Sequence, residues 1–468
     1  MAFRPKSTHV WPTLQWLLFM LLHIPLGLLF RNYPLTAGGH AVVVSLIGSY
    51  YALAGKSERV AYVAAYIMGA EVLWRMTNAP IPHEFAKYAL STLFMISLLQ
   101  QRKFRLSGMA IAYFVLMLPS ISLVMGGYDS STVGDMLSFN LSGPLTLMMS
   151  AIFFLNRRFT YRQTIIIMFA AIPPIISIAA NAFYLIRTTS VTYNVHSALA
   201  RSGNYAPNQV SALLGLAALL AYIILVAHGD HPKKLRALLG GILLWMAIQS
   251  SLTFSRGGVI IAAISAVMIS FAWVKDQGGF LRIVSIVVLL LLGGLFIFPQ
   301  LIESTNGAII ERFSSLDPTG RDQIAQGDIL LWQDNFWFGV GPGVSSRIRP
   351  GNPFVAAHTE FTRTLADHGI LGMLSNVLFL LMAITAWNKA KGIYNKGLVV
   401  GILTWSILYM VDSATRVVAP SFLFGLAFSL GSISDEVPLI QTSDSVEQPE
   451  IYFTQKGNIP AMRPRKFR

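Results

Sequence analysis

Apolar runs of about 20 residues recur along almost the whole chain, and that recurrence limits the fold more than any motif does. Hydrocarbon offers backbone N–H and C=O groups no water, so a crossing segment must satisfy them internally, and for a continuous apolar run the α-helix does so. The pattern predicts about 14 transmembrane helices, from residues 11–30 to 282–299 and again from 369–387 to 417–433. The expected fold is therefore an all-α polytopic membrane protein with one long outer (periplasmic) loop carrying short helices. Only 12% of the 468 residues are charged, against about 25% in a soluble domain. Cysteine is absent, which excludes disulfides, thiolate metal sites and a cysteine nucleophile. No cleavage site of small residues follows the first apolar run, so it reads as an uncleaved span.

Basic residues orient the spans. With the N-terminus in the cytoplasm, the inner segments carry Arg4/Lys6, Lys56/Arg59, Arg102/Lys103/Arg105, Arg157/Arg158/Arg162, Lys233/Lys234/Arg236, Lys275/Arg282, Lys389/Lys391/Lys396 and a basic C-terminal tail. Positively charged loops stay inside, so both termini are expected in the cytoplasm. The segments left outside hold Arg31, Arg75, Arg187, Arg201, Arg256, Arg312, Arg321, Arg347, Arg349, Arg363 and Arg416, with Lys87 their one lysine. Arginine is favoured where phosphate or carboxylate is gripped in two places. The plain alternative is that these arginines snorkel or pair with Glu71, Glu303, Glu311, Asp317, Asp322 or Glu360. Glu71 and Arg75, at i and i+4, are one such pair. The net charge of +14 is mostly this orientation signal, and its scatter over short loops does not suit nucleic acid.

The long polar stretch 300–368 is the candidate site. It contains five of the outer arginines and His358, and no lysine. Thr319-Gly320-Arg321 precedes an amphipathic stretch from Ile324 to Trp337, expected to lie on the membrane with Arg321 near its start. Gly339-Val340-Gly341-Pro342-Gly343 ends that helix in a turn whose glycines would let backbone approach a ligand. His358 is expected in the first turn of the next helix, on one face with Phe361, Thr362 and Leu365. A helix N-terminus disfavours imidazolium, and a neutral imidazole can take a proton from a hydroxyl. That helix is expected to break near Gly369. Elsewhere, Ser255-Arg256-Gly257-Gly258 joins two closely apposed spans, with an arginine where an anion would be welcome. The loop before residue 209 adds Arg187, His196, Arg201 and Asn208, and Asp412 with Arg416 would line the same cavity. Together Arg201, Asn208, Arg347, Arg349, Arg363 and Arg416 form the expected binding set. No HExxH, DxD or clustered carboxylates suggest a metal, so no cofactor is expected.

These pieces, in this order, resemble the O-antigen ligase and O-antigen/exopolysaccharide polymerase superfamily of bacterial envelopes. The resemblance rests on Ala206-Pro207-Asn208-Gln209, Ser255-Arg256-Gly257, Gly320-Arg321, the Gly339–Gly343 turn, His358, and the re-entry Leu365-Ala366-Asp367-His368-Gly369-Ile370-Leu371-Gly372, and covers about residues 200–390. The family often has Asn directly after the loop histidine, whereas this chain has Thr359-Glu360. The resemblance implies a C-type glycosyltransferase fold in the bacterial inner membrane. It implies an undecaprenyl-pyrophosphate-linked glycan donor and a glycan or lipid A-core acceptor. It also implies His358 activating the acceptor hydroxyl, with Arg256 and Arg321 holding the pyrophosphate. Direct attack with inversion needs no covalent intermediate, and no carboxylate pair stands at retaining spacing.

The expected organisation is a membrane part over 1–299, a periplasmic catalytic loop over 300–368, further spans over 369–433, and a cytoplasmic, disordered tail over 434–468. Ligase is the leading expectation and polymerase the first alternative. A lipid-linked glycan transporter would show inverted repeats and midplane ionisable groups, and no clear repeat is visible. A membrane scaffold would leave the arginines and histidine without a purpose.

Overall fold

The computed structural model describes residues 13–431, apart from 102–103, 190–192, 194–195, 197–198, 228–231, 275–276 and 316–319. Arg4, Lys6, Arg102, Lys103, Lys275, Asp317, Thr319 and the polar tail lie outside the described residues. The described elements are all helices, as expected. The first half of the chain forms α1 (Thr13–Asn32), α2 (Pro34–Leu53), α3 (Ser57–Met76), α4 (Phe85–Leu99), α5 (Gly108–Val115), α6 (Ser122–Met125), α7 (Ser130–Leu155) and α8 (Tyr161–Thr188). Then come α9 (Pro207–Val226), α10 (Lys233–Leu252), α11 (Arg256–Trp273) and α12 (Gln277–Ser304). Three short helices follow, α13 (Ala308–Ser314), α14 (Arg321–Asp334) and α15 (Ser345–Ile348), before α16 (Glu360–Lys389), α17 (Gly392–Ser413) and α18 (Ala419–Leu430).

Among the described residues the expected apolar runs fall on helix, except that 107–126 is divided between α5, a short 3-10 turn and α6, and ten helical segments are long and apolar enough to cross a membrane. α4 and α18 are apolar but shorter. α3 has the length, but Glu58, Arg59, Glu71 and Arg75 dilute its apolarity.

Local rules explain the starts. Thr160 and Gln163 make a reciprocal capping box at α8: the Gln163 N–H donates to Thr160 Oγ1 (3.2 Å) and the Thr160 N–H to Gln163 Oε1 (2.9 Å). Proline opens α2 and α9, where its missing N–H costs nothing. α8 and α9 form the middle of the molecule, their apolar windows 100% and 89% buried, whereas that of α12 is 6% buried. Leu291, Leu295 and Phe296 of α12 are exposed, so α12 presents a lipid-facing surface.

Close helix pairs depend on small residues. Gly258 of α11 lies directly against the backbone and side chain of Ser211 on α9, leaving no space for a methyl group. As the sequence suggests, α10 and α11 are joined by only three residues, Thr253, Phe254 and Ser255. α16 breaks at Gly369, whose φ of 62° lies in the left-handed region, so its first turns and its long apolar part are separate rods.

Candidate functional site

His358 does not sit in the first turn of α16. It lies two residues ahead of it, and the cap is Thr359, whose Oγ1 accepts the Phe361 N–H at 3.3 Å. The expected shared face with Phe361, Thr362 and Leu365 therefore does not form; the histidine is placed by a loop pinned from both sides. Its Nδ1–H donates to the backbone carbonyl of Asp412 in the last turn of α17 (3.3 Å). A carbonyl only accepts, so Nδ1 carries the proton and Nε2 keeps its lone pair. Burial, then the Arg416 and Arg321 guanidinium groups, lower the His358 pKa to about 4. The neutrality expected from a helix end thus comes from desolvation and two neighbouring cations.

Asp412 organises a second partner. Its carboxylate forms an ion pair with Arg321 Nη1, at the first residue of α14 after Gly320 in the left-handed conformation. A guanidinium has five N–H donors, and Asp412 engages Nη1 alone. Spacing places Asp412 beside Arg416 in the sequence, but its double role, carbonyl to His358 and carboxylate to Arg321, follows only from folding.

Arg256 opens α11 and donates to the Ser315 carbonyl. Next to it, Gly257 lies against the Asp412 carboxylate; a Cβ there would be 2.7 Å from Oδ1. Asn208, in the first turn of α9, accepts the Ser255 Oγ–H at 2.9 Å. The two spans that start with Asn208 and Arg256 are thus tied together at this end. Arg201 is buried and stacks over the Phe254 ring (4.2 Å), while Arg312 Nε–H donates to the Phe254 carbonyl (2.9 Å). Both arginines support the turn before Arg256.

Arg416 grips the loop carrying the histidine. Its Nη2 donates to the carbonyls of Ala356 (2.9 Å) and Ala357 (2.6 Å). Its own carbonyl accepts Arg75 Nη1 (2.8 Å). Arg75 in turn pairs with Glu71 (2.8 Å) and Glu84 (3.4 Å), and Glu84 with Lys87 (2.5 Å). Glu71 Oε2 also accepts the Val418 N–H at 2.6 Å. The buried charges of α3 and α4 therefore hold the α17–α18 turn from behind.

The remaining arginines of the expected binding set stand elsewhere. Arg349 is fully buried against Asp328, with Nε–H donating to Oδ1 at 2.8 Å and Nη2 in ion-pair contact with the same oxygen at 2.7 Å. Arg363 meets Glu360 (2.5 Å), Asp367 (3.1 Å) and the Asn140 side chain (3.1 Å). These two are committed to scaffold ion pairs because each is buried, and a buried charge needs a partner. We assign them to the scaffold and not to substrate. Arg347 stacks over Tyr128 at 5.3 Å, away from His358 in the contacts it makes. Glu360 is a bracket that the sequence reading treats only as a pairing partner. Besides Arg363, its carboxylate accepts the Thr415 N–H (3.2 Å) and Oγ1–H (3.1 Å), fastening α16 to the α17–α18 turn. The signal was present as Glu360, Arg363 and Asp367 at i, i+3 and i+7.

The glycine turn approaches its own chain, not an open ligand space. Val340 and Gly341 N–H groups donate to the carbonyls of Ala366 and Asp367 (both 2.9 Å), which the break at Gly369 leaves without helical partners. A Cβ on Gly339 (φ 69°) would meet the Asp367 backbone at 2.5 Å. Asp367 accepts the Gly343 N–H at 3.1 Å, and His368 Nδ1 pairs with Ser120 Oγ at 2.5 Å. Helix α14 docks on the protein through Ile324, Asp328 and Leu331, while Trp337 and Phe338 beyond its end are exposed. Among the described residues no three His, Asp or Glu side chains group so as to hold a metal ion.

His358, Arg321, Arg256 and Arg416 thus come together at one end of the bundle, around Asp412, from four separate stretches of chain. Residues 241–377, which contain the first three, match the family model described as O-Antigen ligase. No curated protein and no solved structure matches the chain significantly. The match covers less than a third of the chain; over that stretch the protein, all-helical and with several helices long and apolar enough to cross a membrane, is similar to the O-antigen ligase family.

Proposed function

We propose that the chain transfers a glycan from an undecaprenyl-pyrophosphate carrier to an acceptor hydroxyl at the outer face of the bacterial inner membrane, in the manner of an O-antigen ligase. The observation that carries this reading is the His358 arrangement: Nδ1–H held by a carbonyl, Nε2 unprotonated, and two guanidinium groups close enough to keep the ring neutral. Nε2 takes the acceptor proton as the hydroxyl oxygen bonds to the anomeric carbon. The bond from that carbon to the pyrophosphate oxygen breaks, and its electron pair leaves with undecaprenyl pyrophosphate. The configuration inverts in this single displacement. Pyrophosphate is already a good leaving group, so preorganised positive charge matters more than a strong acid. Arg321 and Arg256 supply that charge. The buried Arg416 Nε–H, which has no hydrogen-bond partner among the described residues, offers a further donor to an anion.

The test uses purified protein in nanodiscs with a lipid-linked donor and no added metal. Wild type is expected to transfer glycan and release undecaprenyl pyrophosphate, and folded His358→Ala and Arg321→Ala variants to lose about 10²-fold or more. A lipid A-core acceptor marks a ligase and a second lipid-linked repeat unit a polymerase. Undiminished transfer by both variants overturns the site. Movement of the donor across the bilayer without transfer supports a transporter instead.

A further inference from the structure

A separate cavity of about 370 Å³ opens where α3 ends and α4 begins, lined by Glu71, Arg75, His83, Phe85 and Tyr205 among others. It lies outside the His358 cluster but shares a wall with it. Arg75 donates from Nη1 to the Arg416 carbonyl (2.8 Å) and reaches Gln209 Oε1 (3.5 Å). Gln209 is the neighbour of Asn208, and Tyr205 donates its hydroxyl to Gln209 Oε1 at 3.3 Å. The cavity and the proposed catalytic groups are therefore built on the same two pieces of chain, the α17–α18 turn and the start of α9.

The lining selects a ligand chemistry. Phe85 and Tyr205 are half-buried rings and His83 is exposed, so flat surfaces face the space. The charged groups are already opposed: Arg75 by Glu71 and Glu84, and Lys87 by Glu84. A phosphate would find no unneutralised cation. A hydrocarbon chain would strip water from Glu71 and Arg75 without replacing its hydrogen bonds. A neutral sugar suits both parts: its C–H faces pack on rings, and its hydroxyls donate and accept beside carboxylate and guanidinium groups. The volume is near the lower end of the ~300–1,000 Å³ typical of small-ligand sites.

We propose that this cavity seats the acceptor glycan and directs its reacting end toward the turn that carries Arg416. The proposal rests on the transferase reading. Its test separates binding from turnover. Saturation-transfer NMR on the full chain in nanodiscs would use, as probes, free core oligosaccharide and the free repeat-unit oligosaccharide. One of them is expected to give saturation transfer with wild type and with His358→Ala, and to lose it with Phe85→Ala and Tyr205→Ala. In the transfer assay both ring deletions should raise the acceptor KM about ten-fold, the loss of one ring contact. They should leave the donor KM and the kcat at saturating acceptor near wild type. A melting curve on each ring deletion that matches wild type guards against a folding artefact. The proposal is overturned if neither oligosaccharide binds wild type. It is equally overturned if binding survives both ring deletions, or if the deletions raise the donor KM instead, which would make the cavity a carrier-lipid site. Glycan binding by a wild type that never transfers would sink the transferase reading while leaving the glycan site standing.

Discussion

Replacing Arg416 by lysine separates two roles that the site combines in one side chain. Lysine keeps the positive charge beside His358, but a single ammonium lacks the planar fork. The structure shows Nη2 shared between the Ala356 and Ala357 carbonyls at 2.9 and 2.6 Å, immediately before the histidine. Losing one of these charge-assisted bonds costs about 1.5–3 kcal/mol. If that cost falls on the ordered position of residues 356–358, the transfer rate drops by about 10–100-fold, since roughly 1.4 kcal/mol corresponds to ten-fold. The donor KM should change less than the rate, because the charge is retained although the Nε–H is lost. The assay is steady-state glycan transfer in nanodiscs, with a melting curve on each variant to confirm folding. Hydrogen exchange over residues 354–360 should rise in parallel. A kcat within about three-fold of wild type, in a variant that folds normally, refutes the idea that Arg416 positions His358. A loss seen only in donor KM would assign Arg416 to charge alone.

Other outcomes follow from the same geometry. His358, lowered to about 4, is neutral through the neutral range, so the rate should hold as pH falls and decline only near 4 as Nε2 becomes protonated. An acid limb in the kcat profile at the ordinary imidazole value of about 6.5, absent from His358→Ala, would contradict this. Glu360→Gln removes the charge facing buried Arg363, with Asp367 retaining part of the compensation. A stability loss of about 2–3 kcal/mol in denaturant titration is expected, and an unchanged midpoint would argue against a bracing role. Gly258→Ala forces a methyl group into Ser211 and should cost about 1–3 kcal/mol while displacing Arg256. Gly241→Ala, with nothing near its added methyl, should melt and transfer like wild type.

Much of this protein was legible in one dimension. Apolar runs of span length dictate helices wherever backbone must cross hydrocarbon, and among the described residues the expected runs are helical, 107–126 being the one divided into short pieces. Gly369 announces a break because a residue without a side chain is cheap at positive φ. The residue types proposed for the site, His358 with Arg256 and Arg321, could be named from the sequence, but that they gather around Asp412 could not. The arginine surplus was a coarser guide. Arg349 and Arg363 look like Arg321 in the sequence, yet the fold encloses them with Asp328, Glu360 and Asp367. Burial, which no local pattern reports, turns a potential ligand into half of an ion pair. The glycine turn reads as a place for a ligand, but the orphan carbonyls of the α16 break occupy it. Asp412 gains its importance because α17 ends where α11, α14 and the His358 loop converge, and the Nε2 base is defined by a carbonyl 54 residues away. Composition and periodicity determine which segments become helices. Only tertiary packing decides which cations are neutralised and which nitrogen of His358 keeps its lone pair, because those depend on through-space partners and on the exclusion of water.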